Sequence, residues 1–181
     1  MAFSEKFLTK KNAVTIAAVA IIALSIFFVF FNLNGNSADF SNRDIRLIIT
    51  DSMDGEPQDY EIRTIPKDSL VMVEILTDSE KENLKVGDVV QFRYGNVYNH
   101  HRVIENDVVN RIIQTQGDNT DAPDSPMSYD KVRGKVVGVN HVLGELVTFV
   151  KAYVLVILIF FVAVYVAIRL VEEIRKEKGA S

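Results

Sequence analysis

The chain contains no cysteine. This absence excludes disulfide bonds, a thiol nucleophile and zinc held by thiolate ligands. The sequence also has no Asn-x-Ser/Thr acceptor for N-glycosylation and no internal repeat. Histidine is scarce, with three in 181 residues. Chemistry that needs an imidazole base near neutral pH must therefore use one of these three side chains.

Charge is absent from two long apolar runs. Residues 13–31 and 152–168 contain no charged side chain. At about 1.5 Å per residue, the first run covers roughly 28 Å, close to the thickness of a bilayer's hydrocarbon core. The second run is shorter, but Lys151 and Arg169 at its ends can extend their charged groups to the interface. Both runs predict transmembrane helices.

The first run has a second interpretation, a cleaved signal peptide, because Lys6, Lys10 and Lys11 precede it. However, it exceeds the usual apolar length of about 7–15 residues. The sequence that follows it, at 32–36, also lacks a small-x-small cleavage site. We therefore expect an uncleaved anchor.

Basic residues flank the two runs on the sides nearest the chain termini. Three lysines precede the first run, and Arg169, Arg175, Lys176 and Lys178 follow the second. The positive-inside rule then predicts a multi-pass cell-membrane protein with both termini in the cytoplasm. The predicted organisation is a cytoplasmic N-terminus (1–12), a transmembrane helix (13–31), a linker (32–44), an extracytoplasmic domain (45–145), a second transmembrane helix (150–170) and a cytoplasmic tail (171–181).

The segment between the two spans predicts a compact, mainly β domain. It carries 20 acidic residues and 12 basic ones, which disfavours nucleic acid as a partner. Turn signals such as Gly95-Asn96 and Asn106-Asp107 separate short β-branched runs, and one short helical segment is expected at 78–84. The predicted strands are residues 45–50, 70–76, 88–94, 102–105, 108–115 and 132–139.

Three short segments supply a hydroxyl, an imidazole and a carboxylate, which together are the inventory of a serine hydrolase. Ser52 follows a predicted strand, and Met53 offers an apolar side chain that could seat it near a membrane surface. His100 and His101 point to opposite faces of a strand, so at most one of them serves the site. The carboxylate is open among three aspartates of the loop at 117–124, which are Asp118, Asp121 and Asp124.

The hairpin around Asn106-Asp107 decides whether these groups can meet. With those two residues as its loop, His101 faces Ile112. Asp118 then lies six residues beyond that partner, up to roughly 20 Å away in an extended chain. The loop at 117–124 must therefore fold back for a carboxylate to reach His101, and its Gly, Asn and Pro residues suit such a turn.

Five motifs follow one another through most of residues 45–139. They are Ser-Met at 52–53, Val-Gly-Asp-Val-Val at 86–90, His-Arg-Val-Ile at 101–104, Gly-Asp-Asn at 117–119 and Gly-Lys-Val-Val-Gly at 134–138. Each is weak singly, but in this order they resemble the motifs of type I signal peptidases. The resemblance is to the endoplasmic-reticulum and archaeal branch, in which histidine replaces the lysine base of the common bacterial enzymes.

This resemblance implies a β-rich peptidase domain that removes N-terminal signal peptides from exported preproteins by a Ser-His-Asp mechanism. Ser52 would be the nucleophile, His101 the general base and Asp124 the residue that orients His101. Asp118 would support the geometry of the loop and the site. The Thr50 hydroxyl and the Ser52 backbone N–H would form the oxyanion hole, where one donor is typically worth about 10²–10³ in rate. The implied partners are signal peptides, the lipid bilayer and the secretion translocon, and no metal or organic cofactor is implied.

One departure from the family pattern lies next to the nucleophile. Proline commonly follows Ser-Met after one residue, whereas here it is delayed to Pro57. The departure favours an alternative, a non-catalytic β domain that is tethered to the membrane and binds exported proteins or serves as a subunit of a membrane complex. A metal site built from His100, His101 and the three aspartates is a further alternative, although the aspartates lack the EF-hand spacing.

Overall fold

The computed structural model describes residues 37–179, together with Ile16, residues 18–21 and Ala23. Two compact units divide the chain: a β unit that extends to Thr148, and a helical unit that begins at Phe149 and includes the described residues before 24. The predicted first span, residues 13–31, lies for the most part outside the described residues. Its described positions are helical.

The β unit is built around one antiparallel sheet of eight strands, which confirms the mainly β prediction. The strands are β1 (Ser37–Phe40), β2 (Arg43–Leu47), β3 (Leu70–Ile75), β4 (Val89–Tyr94), β5 (Val97–Asp107), β6 (Ile112–Gln116), β7 (Met127–Ser128) and β8 (Val132–Asn140). Their order across the sheet is β1-β2-β3-β8-β4-β5-β6-β7, so the last strand of the chain lies in the middle. Among residues 37–179, the helices are α1 (Asp78–Lys81), a 3₁₀ turn (Tyr129–Lys131) and α2 (His141–Gly179).

The sheet is covered by apolar side chains on both faces. Val89 and Val90 are consecutive residues of β4 and belong to different core clusters. Because consecutive strand residues point to opposite faces, the two clusters lie on opposite sides of the sheet. One cluster contains Leu84, Val90, Phe92, Val103, Ile113, Met127, Tyr129 and Val132. The other contains Ile48, Met53, Ile65, Val71, Val73, Val89 and Val136.

Part of the predicted linker at 32–44 belongs to the sheet instead. Residues 37–40 form β1, and β2 begins at Arg43. The two strands form a hairpin because Phe40 pairs with Arg43 across a turn at Ser41-Asn42, with Ser41 at a φ of 45°. The Asn and Ser residues therefore mark a hairpin turn rather than an open linker. Residues 32–36 lie outside the described residues.

The predicted turn at Gly95-Asn96 is confirmed, since Tyr94 pairs with Val97. The predicted turn at Asn106-Asp107 is wrong. Asp107 is the last residue of β5 and pairs with Ile112, so residues 108–111 make the connection to β6. The Asn110 N–H donates to Asp107 Oδ1 at 3.0 Å, and this side-chain cap stabilises the longer turn.

This register brings the loop after β6 close to the candidate base. β5 contains an irregularity between Val103 and Glu105, and Arg102 pairs with Gln116. His101 therefore lies beside the end of β6 rather than opposite Ile112. Gln116, the partner of Arg102, directly precedes the loop at 117–124. The loop therefore begins beside His101, and the separation of up to roughly 20 Å that the predicted register implies does not occur.

A helix that begins in the β unit and continues through the helical unit is long and apolar enough to cross a membrane. It is α2, over His141–Glu172, and it is the one such helix among the described residues. The predicted second span, residues 150–170, lies within it. The finding is compatible with membrane association, while the first span is not shown because most of it falls outside the described residues.

The first turns of α2 belong to the β unit. A Cβ on Gly144 would lie 1.9 Å from the Asp68 carbonyl oxygen, so only glycine allows this approach. The Thr148 hydroxyl donates to Asp68 Oδ1 at 3.1 Å, and His141 Nδ1 lies 3.2 Å from Ser69 Oγ. These contacts fasten the start of α2 to the loop that precedes β3.

Candidate active site

Ser52 lies in the segment that follows β2 and is anchored to the protein core by its neighbour. Met53 is 1% exposed and packs in the same cluster as Ile48. Its carbonyl accepts hydrogen bonds from the Ile65 N–H at 3.1 Å and the Thr64 hydroxyl at 3.2 Å. The Met53 side chain packs into the core, so the prediction that it seats Ser52 by contact with a membrane surface is wrong. Its buried side chain fixes the position of Ser52, which is itself partly exposed.

His101 faces Ser52 from the middle of β5. Its ring is almost fully buried and meets the Phe92 ring edge-on, with centroids 5.7 Å apart and an interplanar angle of 61°. The Nε2 atom lies 3.2 Å from Ser52 Oγ. A neutral imidazole at this distance can take the hydroxyl proton, which is the geometry that a general base requires.

Asp124 holds the other side of the same ring. His101 Nδ1 and Asp124 Oδ2 are 2.6 Å apart, a short distance typical of a charge-assisted hydrogen bond. The Thr115 hydroxyl donates to the same carboxylate oxygen at 2.7 Å. An imidazole that donates from Nδ1 to a carboxylate keeps its lone pair on Nε2, so Ser52 faces the basic nitrogen.

The loop at 117–124 folds back on itself to make this contact. The Asp124 N–H donates to the Thr115 carbonyl at 2.8 Å, and the Asn119 N–H donates to the Ser52 carbonyl at 2.9 Å. Gly117 lies at the turn, where a Cβ would come within 2.6 Å of the Ser52 carbonyl oxygen and 3.1 Å of His101 Nε2. Glycine is required at this point because the loop backbone passes close to both groups.

Asp118 contacts Arg102 and not His101. The guanidinium donates two parallel hydrogen bonds to the carboxylate, at 2.8 Å and 2.5 Å. Arg102 also donates to the Gly87 carbonyl at 2.7 Å and lies over the ring of Tyr60, 5.1 Å from its centroid. Both charged side chains are nearly completely buried. The pair therefore clamps the loop to β5 and to the segment before β4.

The remaining predicted residues lie at the edges of this arrangement. Thr50 Oγ1 lies 3.5 Å from Ser52 Oγ, and Asp121 is exposed. The His100 ring lies 3.2 Å from the Gln91 side-chain amide, away from Ser52. Burial lowers the pKa of His100 to about 3, with smaller electrostatic contributions from Arg46 and His101. His100 is therefore uncharged near neutral pH.

A cavity of 540 Å³ opens beside the site. Its walls are residues 46–50, which run toward Ser52, together with Tyr94 and residues 96–100, which run toward His101. No group of three or more His, Asp or Glu side chains that could hold a metal ion occurs among the described residues.

Several contacts of the site were not predicted from the sequence. The Thr115 hydroxyl contacts Asp124 Oδ2, and the Asn99 side-chain amide contacts His101 Nε2. The period of two along β5 places Asn99 on the same face as His101, and this signal could have identified it. Thr115 carried no such signal, because its position opposite Val103 depends on the irregular register of β5 and β6.

The chain matches no protein-family model and no curated protein sequence. The geometry by itself defines a class of site: a hydroxyl, an imidazole and a carboxylate joined by two hydrogen bonds on a β-sheet scaffold.

Proposed function

We propose that this chain is a membrane-anchored serine endopeptidase that removes N-terminal signal peptides from exported preproteins, in the manner of histidine-dependent type I signal peptidases. The observation that carries the proposal is the hydrogen-bonded series from Asp124 through His101 to Ser52. The motif order that resembles this family adds the substrate class to the chemistry that the geometry supports.

The reaction proceeds through an ester on Ser52. Its oxygen attacks the scissile carbonyl carbon while the hydroxyl proton passes to His101 Nε2, and Asp124 stabilises the resulting imidazolium. His101 then gives this proton to the leaving amine as the peptide bond breaks. A water molecule, deprotonated by His101, hydrolyses the ester and restores the Ser52 hydroxyl.

The oxyanion donors of this mechanism are the Thr50 hydroxyl and the Ser52 backbone N–H. The Thr50 oxygen lies 3.5 Å from the attacking oxygen, which is near enough to reach an oxygen on the carbon that Ser52 attacks. Removing one donor of this kind typically lowers the rate by about 10²–10³.

The cavity beside the site suits an extended peptide. One wall leads along the chain into Ser52 and the other leads along β5 into His101, so a peptide lying between them would present a carbonyl to both. Signal peptides carry small side chains at the −1 and −3 positions before the cut. Alternate side chains of an extended chain point the same way, and these two would therefore enter the same cavity.

The membrane setting supports a preprotein as the substrate. α2 is long and apolar enough to span a bilayer. The basic residues near both termini favour a catalytic domain on the extracytoplasmic side, where signal peptides are exposed for cleavage. A protease of this design would act on a chain that is itself held in the membrane.

Cleavage of a preprotein in proteoliposomes tests the proposal. Purified full-length protein is reconstituted with a preprotein that carries a signal peptide, and the mature product is followed by mass spectrometry. We expect one cut after a small residue, with loss of the product in Ser52→Ala and His101→Ala. Ser79→Ala, at an exposed serine of α1, serves as the matched control and keeps full activity.

Undiminished cleavage by Ser52→Ala would overturn the assignment. Binding of the preprotein without any cleavage by the wild-type protein would favour the non-catalytic alternative instead.

A further inference from the structure

Asn99 contacts the atom of His101 that serves as the base. The two residues are two positions apart on β5 and therefore share a face of the strand. Asn99 Nδ2 lies 3.3 Å from His101 Nε2, and Asn99 Oδ1 accepts a hydrogen bond from the His100 N–H at 3.0 Å. Asn99 also lines the 540 Å³ cavity.

The second of these bonds fixes which way the amide points. A backbone N–H can only donate, so the oxygen of the Asn99 amide must face His100 and its NH₂ group must face His101. An amide NH₂ is a donor without a lone pair for hydrogen bonding. It can therefore pair with His101 only when Nε2 is unprotonated and presents its lone pair.

Asn99 and Asp124 consequently select the same form of the ring from opposite sides. Asp124 accepts from Nδ1, and Asn99 donates to Nε2. The imidazolium, which carries a proton on both nitrogens, would lose the Asn99 bond and would place two donors against each other. The neutral ring satisfies both neighbours, and its Nε2 lone pair is shared between the Asn99 amide and the Ser52 hydroxyl.

We propose that Asn99 is a positioning residue that holds His101 as the neutral, base-competent tautomer in the resting enzyme. This inference rests on the proposed function, since it gives His101 the role of general base. Asn99 lies outside the predicted catalytic residues. It lines the cavity and also contacts His101 Nε2, the atom that activates Ser52.

Apart from Asp124, no charged group near His101 among the described residues competes with Asn99 in setting the form of the ring. Asp124 is the one charged side chain hydrogen-bonded to the ring among the described residues. On its own strand, His100 is uncharged, and the Arg102 guanidinium is committed to Asp118. From β4, the ring is met by the uncharged Phe92.

Two substitutions separate this role from simple packing. Asn99→Asp keeps the shape but replaces the donor with a carboxylate, which would accept a proton from Nε2 and stabilise the imidazolium. Because this bond is charge-assisted, we expect Asn99→Asp to lower kcat/KM near pH 7 by roughly 10- to 100-fold, through a lower kcat. The loss should diminish as the pH is raised and the imidazolium gives up its proton. Asn99→Ala removes the donor without adding an acceptor, so its loss should be several-fold smaller.

A merely structural role predicts the opposite order, because Asn99→Ala removes more contacts than the isosteric Asn99→Asp. An alanine variant that is as impaired as the aspartate variant, or more so, would overturn the proposal. A pH–rate profile of Asn99→Asp that is parallel to the wild-type profile would do the same.

A measurement that does not depend on cleavage distinguishes failure of this inference from failure of the proposed function. Full-length protein with ¹⁵N-labelled histidine is compared in detergent as the wild type, Asn99→Ala and Asn99→Asp. We expect the His101 ring nitrogens to show an unprotonated Nε2 at pH 7 in the wild type and an imidazolium in Asn99→Asp. Unchanged ring signals in Asn99→Asp refute the Asn99 role, whatever the activity. The expected change in a protein that cleaves no preprotein upholds the Asn99 contact and counts against the peptidase assignment.

Discussion

Two aspartates of one loop contact different partners, although only six positions separate them in the sequence. Asp124 contacts the His101 ring, whereas Asp118 forms a buried ion pair with Arg102. The first acts on the reacting groups and the second on the shape of the loop that carries them. Substitution of each carboxylate should therefore affect a different measurable property.

Asp124→Asn should abolish most of the activity with little loss of stability. The amide can present a donor to Nδ1 and turn the ring to the wrong tautomer, a change that costs a serine protease roughly 10⁴-fold in kcat. Asp118→Asn should instead lower the unfolding temperature of the detergent-solubilised protein, because breaking one side of a buried ion pair costs about 3–5 kcal/mol. Kinetics and thermal unfolding of both variants check this division. A large fall in the unfolding temperature of Asp124→Asn with normal kcat would contradict it.

The buried His100 should make stability depend on pH. Its pKa in the folded protein is lowered from 6.5 to about 3, chiefly by burial. Below about pH 6.5 His100 becomes protonated in the unfolded chain but not in the folded protein. The free energy of unfolding therefore keeps its full value above this pH and falls as the pH drops toward 3. His100→Gln, which cannot take up that proton, should lose less stability between pH 7 and pH 4 than the wild type. Parallel stability curves for the two proteins would contradict this account.

At the scale of elements, the site depends on how the end of β6 and the loop at 117–124 meet β5. Six of the strands overlap runs predicted from β-branched composition, and the turn between β4 and β5 follows from Gly95-Asn96; both are local signals. The short strands β1 and β7 were not predicted. The turn at 108–111 depends on a side-chain cap from Asp107, and the closure of the loop depends on hydrogen bonds to Thr115 and Ser52. Contacts between distant parts of the chain leave no local signal. The sequence therefore indicated the candidate residues, but not the path of the loop at 117–124 that brings them together.

Gly117→Ala tests the close passage of the loop. A Cβ there would come within 2.6 Å of the Ser52 carbonyl oxygen, a backbone atom that can move only by displacing the nucleophile. A displacement on the order of 1 Å can cost about 10²-fold in rate. Gly138→Ala is the matched control, because the nearest atom to its Cβ is Met72 Cβ at 3.9 Å, an ordinary contact. Equal activities of the two variants, measured on the same preprotein, would show that the passage is not as close as described.

At the scale of the whole molecule, the proposed function requires the β unit and the C-terminus to lie on opposite sides of a membrane. α2 has the length and composition for a span, and the positive charges after it favour a cytoplasmic C-terminus. The sequence predicted this long apolar helix because apolar composition is a local property, and the flanking charges predict its orientation.

The lack of native cysteine makes this orientation directly measurable. Val109→Cys places a thiol on the turn between β5 and β6, where the native side chain is 92% exposed, and Ser181→Cys places one at the C-terminus. A membrane-impermeant maleimide applied to intact cells should label the first and should reach the second only after permeabilisation. Labelling of Ser181→Cys in intact cells, with Val109→Cys protected, would reverse the orientation.

The most direct measurement is detection of the signal peptide joined to Ser52. The tryptic fragment of residues 47–63 contains Ser52 as its single serine. The reaction with a preprotein in proteoliposomes is quenched in acid during the first turnover, and the digest is analysed by mass spectrometry. The proposed mechanism predicts this fragment with an added mass equal to the C-terminal tryptic piece of the signal peptide less one water, and no such adduct in Ser52→Ala. Cleavage of the preprotein without this adduct, at an undiminished rate in Ser52→Ala, would contradict the proposed mechanism.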